Sequence, residues 1–175
     1  MYGNEGSTKV VAEFSRRFDT RVVEAFGSSE GGIAISSTPG KPVGSLGALP
    51  ESVRVLNPQT GEVCPVAEFD SAGRITNADD ATGELVNVSG AGAFAGYYGD
   101  ADADSERMRG GMYWSGDLGF CDADGFVYFA GRSSGWLRVD GENLGTAPIE
   151  HILLRYPEFA QVSVYGVPDG DVGDL

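Results

Sequence analysis

The chain opens with a helical pattern of apolar residues that gives way to a strand. Apolar side chains recur at the three- and four-residue spacing of a helix over residues 8–18. The apolar run over residues 20–26 then predicts a short strand that ends at Gly27. A helix, a strand and a glycine-serine turn together indicate an α/β unit over residues 1–32.

A β-rich stretch follows from residue 33 to residue 99. Its short apolar runs are separated by turn-forming pairs such as Asn57-Pro58 and Thr60-Gly61. This spacing is typical of an antiparallel sheet or a small barrel. Residues 102–108 predict a short helix after it.

The rest of the chain predicts a hairpin and then a second compact unit. Residues 112–130 have the pattern of two strands joined by a tight turn. A strand at residues 136–139 precedes a helix with Thr146 as its N-cap, and this helix should end before Pro157. The apolar alternation over residues 161–167 predicts one more strand.

Small residues predict a boundary between two domains. The segment from Arg132 to Gly135 contains Ser133 and Ser134, and small residues there can absorb a hinge rotation. We therefore divide the chain into residues 1–132 and residues 133–175. The predicted fold class is mixed α/β (α+β), with a β-rich subdomain over residues 33–132.

Composition limits the classes of partner. The 175 residues are 41% hydrophobic, which is enough for a core, and the formal net charge is −14. Nucleic acids and anionic membranes bind clustered Lys and Arg, so this charge argues against both. No apolar run has a membrane-spanning length. Cys64 and Cys121 form no disulfide framework, and the first residues have no secretory pattern, so we predict a cytoplasmic protein.

Four short motifs contain the candidate chemistry, and they follow one another along the chain. They are Phe26-Gly27-Ser28-Ser29-Glu30, Trp114-Ser115-Gly116-Asp117, Gly131-Arg132 and Gly141-Glu142-Asn143. Backbone N–H groups and hydroxyls of a Gly-Ser-Ser turn can approach phosphate oxygens, and the carboxylate of Glu30 suits a hard cation such as Mg²⁺. Asp117, at a predicted strand end, can accept hydrogen bonds from both hydroxyls of a ribose. The Arg132 guanidinium suits a phosphate or ribose oxygen.

In this order the motifs resemble those of the adenylate-forming superfamily, which includes acyl-CoA synthetases, adenylation domains and luciferases. The Gly141-Glu142-Asn143 turn and the Gly3-Asn4-Glu5-Gly6 segment are similar to the long- and very-long-chain fatty acyl-CoA synthetase branch. The resemblance implies the end of a large N-terminal domain with an antiparallel β-barrel subdomain. It also implies the start of a small α+β C-terminal domain after the boundary.

The resemblance also gives each motif a role. It implies an adenine border at Phe26 and Gly27, a phosphate contact at Ser28 and Ser29, a magnesium and catalytic site at Glu30, a ribose contact at Asp117, a catalytic nucleotide contact at Arg132, a hinge at Ser133, Ser134 and Gly135, and a thiol-transfer turn at Gly141, Glu142 and Asn143. The implied substrates are a fatty acid, ATP and coenzyme A, with Mg²⁺ as the metal. The acyl length, a carrier-protein acceptor and the oligomeric state stay open.

The chain departs from the family pattern in three places. Ser134 stands where the family commonly has aspartate or lysine, and Gly135 where an acidic residue is common, so we expect a looser hinge. The family's Ser/Thr/Gly-rich phosphate loop and its C-terminal lysine have no counterpart here. We therefore expect an internal fragment of a longer enzyme that is inactive by itself. Any peripheral membrane contact is expected of that parent enzyme only.

Two other functions compete with this interpretation. Gly27 to Gly31 also fits the G-x-S-x-G elbow of an α/β-hydrolase, with Ser29 as nucleophile and His151 downstream. An elbow requires a helix next, and residues 32–40 do not predict one. The second alternative is a catalytically inactive nucleotide-binding module that has kept the fold.

Overall fold

The computed structural model describes residues 2–3, 8–38, 40–132, 136–139, 142–156, 158–169 and 173–174. The elements in chain order are β1 (Tyr2–Gly3), α1 (Thr8–Phe18), β2 (Val23–Gly27), β3 (Ala34–Ser36), β4 (Ser45–Ala48), β5 (Val53–Leu56), α2 (Ala78–Ala81), β6 (Gly83–Asn87), α3 (Ala101–Arg107), β7 (Met108–Arg109), β8 (Met112–Cys121), β9 (Phe126–Arg132), β10 (Trp136–Val139), β11 (Glu142–Gly145), α4 (Thr146–Leu153), β12 (Pro168–Asp169) and β13 (Gly173–Asp174). Short helices and mainly antiparallel strands confirm the predicted mixed α/β class.

The N-terminal unit has the predicted helix, but its strand starts later than predicted. The helix α1 ends at Phe18, and Asp19 then adopts a left-handed φ of 44°. The Thr20 N–H donates to the Ser15 carbonyl at 3.1 Å, a Schellman-type closure that keeps this residue in the helix cap. The strand β2 therefore begins at Val23, where it pairs with β1 in parallel and with β3 in antiparallel orientation.

The β-rich stretch forms the antiparallel sheet that positions the candidate site. Its strands follow the order β4-β9-β8-β6-β5, β7 pairs with β8, and every pairing is antiparallel. Consecutive residues of β6 point to opposite faces, so Leu85 and Val86 belong to two different apolar clusters. Ile33 and Ile35, from the turn and strand after β2, pack into the Leu85 cluster and attach the N-terminal unit to the sheet.

The predicted hairpin is confirmed as β8 and β9. Its turn is closed by Asp122, whose Oδ1 accepts hydrogen bonds from the backbone N–H groups of Asp124 at 3.0 Å and Phe126 at 2.9 Å. Gly125 has a φ of 81°, a conformation that glycine adopts without steric cost. The helix predicted at residues 102–108 is also confirmed, as α3.

Two local predictions are wrong. Thr146 is the first residue of α4, and the N-cap is Gly145, which supplies no side-chain cap. Residues 161–167 form no strand. Within them the Val164 N–H donates to the Glu150 Oε1 of α4 at 2.8 Å, so a helix side chain takes the backbone donor that a strand pairing would use.

The segment after the predicted domain boundary contains its own sheet. Its strands follow the order β11-β10-β13-β12, with antiparallel pairings throughout. The hinge residues Ser133, Ser134 and Gly135 lie outside the described residues, and the division at residue 132 stays a prediction. Among the described residues no helix has the length and apolar character needed to cross a membrane.

Candidate functional site

The turn between β2 and β3 presents the first motif. The Ser28 hydroxyl oxygen accepts hydrogen bonds from the backbone N–H groups of Gly32 at 3.1 Å and Ile33 at 3.2 Å. Gly31 has a φ of 76°, and its N–H closes the turn on the Ser28 carbonyl at 2.9 Å. Ser28 therefore fixes the backbone of the turn, and Ser29 and Glu30 stand at its tip.

Glu30 is held by a residue far away in the sequence. The Tyr97 hydroxyl donates to Glu30 Oε1 at 2.8 Å, and the Ser29 hydroxyl donates to Oε2 at 3.1 Å. The Tyr97 hydrogen bond is the main cause that lowers the pKa of Glu30 below the ordinary glutamate value, against a smaller opposing effect of burial. Glu30 is therefore ionised at neutral pH, and an ionised carboxylate is the kind of oxygen ligand that a magnesium ion requires.

Asp117 lies in the middle of the hairpin sheet, where β8 pairs with β9. Its register partner is Arg132, and Arg132 Nε lies 3.2 Å from Asp117 Oδ1. The arginine side chain is 71% exposed, whereas the aspartate side chain is 8% exposed. Burial raises the pKa of Asp117, and Arg132 and Arg107 partly offset this increase.

A buried carboxylate fixes the backbone beside Asp117. Glu84 Oε1 accepts a hydrogen bond from the Gly116 N–H at 2.7 Å, and Glu84 Oε2 pairs with Arg109 at 2.9 Å. Gly116 has a φ of 75°, so glycine suits this position and Asp117 follows a left-handed turn. The Arg109 guanidinium also packs over the Trp114 ring, 3.8 Å from its centre.

Arg107 lies between the two motifs. Its Nε is 3.4 Å from the Tyr97 hydroxyl oxygen, and one terminal nitrogen is 3.5 Å from the Trp114 carbonyl oxygen. A β-carbon added to Gly116 would lie 2.4 Å from that nitrogen, so the guanidinium packs directly on this turn. Its charge acts on both Glu30 and Asp117, and it connects carboxylates that are far apart in the sequence.

Tyr113 fills the space beneath the first turn. Its ring is fully buried and packs 5.2 Å from Phe94, and a β-carbon on Gly32 would come within 2.2 Å of it. Among the described residues its hydroxyl has no hydrogen-bond partner. Burial raises the pKa of Tyr113, and the nearby Ser28 hydroxyl opposes that increase without reaching hydrogen-bond geometry.

Among the described residues, the first three motifs lie close together. The turn of the fourth motif is described only in part. Phe26 and Gly27 are in β2, and the Phe26 ring lies 5.9 Å from Phe129 of β9. Gly141 lies outside the described residues, and Glu142 and Asn143 begin β11. The roles that the resemblance implies for these positions stay predictions.

Sequence reasoning missed Tyr97, Arg107 and Glu84. One signal was present for Glu84, because a carboxylate in the middle of the buried run of β6 requires a partner inside the fold. Tyr97 and Arg107 gave no such signal, since their partners come from other segments. Among the described residues no group of three or more His, Cys, Asp or Glu side chains could hold a metal. Glu30 therefore fits a cation that is held by further oxygen ligands as well as by Glu30 itself.

The remaining candidates contribute less. The turn at Ser29 is followed by β3 and by no helix, so the hydrolase elbow lacks the element that it requires. A cavity of about 240 Å³ is lined in part by Cys64 and Cys121 and contains none of the predicted site residues.

Comparison with known proteins identifies the family. A medium/long-chain-fatty-acid–CoA ligase, FadD17, of Mycobacterium marinum is 53% identical over 174 residues, which cover 99% of this chain and 32% of that protein. A steroid-22-oyl-CoA synthetase of Rhodococcus jostii is 43% identical over 174 residues, which cover 99% of this chain and 31% of that protein. The chain therefore spans about a third of the length of the curated relatives it matches.

A solved structure shows the same fold. The ATP-bound MatB of Rhodopseudomonas palustris superimposes with a TM-score of 0.74 at 25% identity, over 99% of this chain and 33% of that one. No protein-family model matches the chain. The ordered motifs, these relatives and the shared fold together establish that the chain belongs to the adenylate-forming superfamily of enzymes.

Proposed function

We propose that this chain is the nucleotide-binding part of an ATP-dependent fatty acyl-CoA synthetase. The supporting observation is that Arg107 joins two motifs that are far apart in the sequence. Its Nε lies 3.4 Å from the Tyr97 hydroxyl that binds Glu30, and its guanidinium packs on Gly116, next to Asp117. The names of the Mycobacterium and Rhodococcus relatives support an apolar carboxylic acid as the substrate. The free thiols Cys64 and Cys121 fit a cytoplasmic location.

The proposed reaction has two steps. A carboxylate oxygen of the acid attacks the α-phosphorus of ATP, the bond to the β-phosphate oxygen breaks, and acyl-AMP and pyrophosphate result. The thiol of coenzyme A then attacks the acyl carbon, AMP leaves with the electron pair of the broken bond, and the thiol proton passes to solvent. Bound Mg²⁺ offsets the negative charge of the phosphates.

The residues of the chain would bind and orient the nucleotide. Glu30 would hold the metal of Mg·ATP, and Asp117 would accept hydrogen bonds from the ribose hydroxyls. Because Arg132 already pairs with Asp117, it would lie next to the same sugar and could reach a phosphate oxygen. The turn at residues 141–143 would serve the thiol step, as the resemblance implies.

A chimeric ligase tests this function. The 174 aligned residues of the M. marinum ligase are replaced by this chain, and palmitate-dependent pyrophosphate release and CoA-dependent thioester formation are measured with Mg·ATP. We expect both products from the chimera and none from the 175-residue chain alone. Asp117→Ala in the chimera should raise the KM for ATP, because a ribose contact is lost.

Other outcomes would support the alternatives. A folded chimera that hydrolyses a nitrophenyl ester without ATP, and loses this activity on Ser29→Ala, would favour the hydrolase. A folded chimera that binds ATP but releases no pyrophosphate would favour the inactive binding module. Turnover by the 175-residue chain alone would contradict the expectation that it is an inactive fragment.

A further inference from the structure

A tyrosine hydroxyl bridges the segment before α3 and the predicted magnesium ligand. The Tyr97 hydroxyl lies 2.8 Å from Glu30 Oε1, an ordinary distance for an O–H···O hydrogen bond. The ring is packed 5.2 Å from Phe94, edge to face, and Phe94 in turn packs against the buried Tyr113. The Tyr97 backbone N–H donates to Asp104 at 2.6 Å, so both the ring and the main chain of Tyr97 are fixed.

Arg107 sets the direction of the tyrosine proton. An arginine has only donors, so its Nε–H, 3.4 Å away, requires the Tyr97 oxygen to accept. The single hydroxyl proton of Tyr97 is then free to point at Glu30. The Arg107 guanidinium is itself located by the Trp114 carbonyl and by its packing on Gly116.

These contacts leave the Glu30 carboxylate in one orientation. Tyr97 occupies one lone pair of Oε1 and Ser29 occupies one lone pair of Oε2, so each oxygen keeps a lone pair for a cation. Hydrogen bonds to a ligating carboxylate fix its orientation, and losing such a partner typically weakens metal affinity about 10- to 100-fold. Ser29 alone is a poor clamp, because it is the exposed neighbour of Glu30 at the tip of the turn.

We propose that Tyr97, oriented by Arg107, is a positioning residue that holds Glu30 ready to take the magnesium of Mg·ATP. The inference rests on the proposed function for the identity of the ligand. The contact itself is independent of that function, because it is present between the side chains without any ligand.

The decisive variant is Tyr97→Phe, with Tyr98→Phe as the matched control. Tyr98 is the adjacent residue and is fully exposed, so it has the same chemistry without the contact. ATP binding to the chimeric ligase is measured by calorimetry in magnesium and in EDTA, and Mg²⁺ is titrated during turnover. We expect Tyr97→Phe to reduce the magnesium enhancement of ATP affinity and to raise the half-saturating Mg²⁺ concentration, each about tenfold. Tyr98→Phe should change neither by more than about twofold.

The pattern across substrates separates positioning from general support of the fold. Tyr97→Phe should leave the KM values for the fatty acid and coenzyme A unchanged, and Arg107→Leu should reproduce part of the magnesium effect. A uniform loss of kcat with an unchanged Mg²⁺ dependence would overturn the proposal. Failure of the wild-type chimera to bind ATP in magnesium would overturn both this proposal and the proposed function.

A metal-free measurement tests the contact separately. Tyr97→Phe and Glu30→Ala are combined in a double-mutant cycle on the unfolding of the complete 175-residue chain. We expect the two effects to be non-additive by about fivefold in the unfolding equilibrium constant, since the hydrogen bond has an ionised acceptor. Additive effects would show that Tyr97 does not hold Glu30. The two proposals can fail separately. If the wild-type chimera binds Mg·ATP but does not turn over, the proposed synthetase function is contradicted. The positioning role is still supported in that case if the double-mutant cycle is non-additive and Tyr97→Phe reduces the magnesium enhancement of ATP binding.

Discussion

The substitution Glu84→Gln isolates the charge of the buried carboxylate beside Asp117. Glutamine has nearly the same shape and keeps an oxygen that can accept from the Gly116 N–H. It loses the negative charge that strengthens this 2.7 Å bond and that pairs with Arg109 at 2.9 Å. The glutamate side chain is only 5% exposed, so water replaces little of what is lost.

The expected cost follows from the two contacts. A hydrogen bond to a charged group contributes about 1.5–3 kcal/mol and a neutral one about 1 kcal/mol, so the weakened Gly116 bond accounts for about 1 kcal/mol. The Arg109 side chain is 42% exposed and regains water when its partner is neutral, so its share is limited to about 1 kcal/mol. Glu84→Gln should therefore lower the free energy of unfolding by about 2 kcal/mol.

The assay is urea denaturation followed by tryptophan fluorescence. Trp114 is buried against Arg109, so its emission reports on this region, and an unchanged m-value would show that the denatured state is unaltered. Glu13→Gln is the matched control, because Glu13 pairs with Arg16 at 2.7 Å while both side chains are more than half exposed. The control should cost less than about 0.5 kcal/mol. Equal effects of the two substitutions would refute the argument from burial.

Three further predictions concern buried groups. Tyr113→Phe should raise the free energy of unfolding by about 1 kcal/mol in urea denaturation, because it removes a buried hydroxyl without a partner; a loss of stability would mean that the hydroxyl does bond to Ser28. Burial raises the pKa of Asp117 in the folded chain, so ionisation of Asp117 destabilises the fold. The wild type therefore loses stability as the pH rises from the ordinary aspartate pKa through the raised folded-state pKa. Asp117→Asn should therefore gain stability relative to the wild type between about pH 3 and pH 7, measured by urea denaturation across that range, and a constant difference would contradict the shift. Burial raises the pKa of Cys121 to about 11 and raises that of Cys64, so a disulfide reagent at about pH 8 should label the native chain slowly and both thiols of the unfolded chain at once; rapid native labelling would show that the two thiols are accessible.

Local patterns in the sequence predict the elements that are stabilised by contacts between residues close together in the chain. The spacing of apolar residues predicts α1 with its observed bounds, and the Asp122–Gly125 turn predicts the β8–β9 hairpin. The strand predicted at residues 161–167 fails because alternation alone does not supply a partner strand, and the Glu150 side chain takes one of its donors. The N-cap at Thr146 fails because the helix begins one residue earlier than a threonine cap requires.

The sequence predicts the site residues that belong to a motif. It does not predict the residues whose role depends on a tertiary contact. Glu30 and Asp117 follow turns whose glycines are visible in the sequence. Tyr97 contacts Glu30 across 67 positions, and Glu84 contacts Gly116 across 32 positions. The sequence around Tyr97 does not distinguish it from the neighbouring Tyr98. Only the packing of the Tyr97 ring on Phe94 directs its hydroxyl towards Glu30.

The three arginines beside the site are each matched by a carboxylate: Arg109 pairs with Glu84, Arg132 pairs with Asp117, and the charge of Arg107 acts on Glu30. The chain has 26 acidic and 12 basic residues, so the long-range field that an approaching anionic nucleotide meets is repulsive. The Debye length is about 8 Å at physiological ionic strength, so salt screens this long-range repulsion. Added salt should therefore speed the approach of a nucleotide to this surface, the reverse of what a uniformly basic binding protein shows.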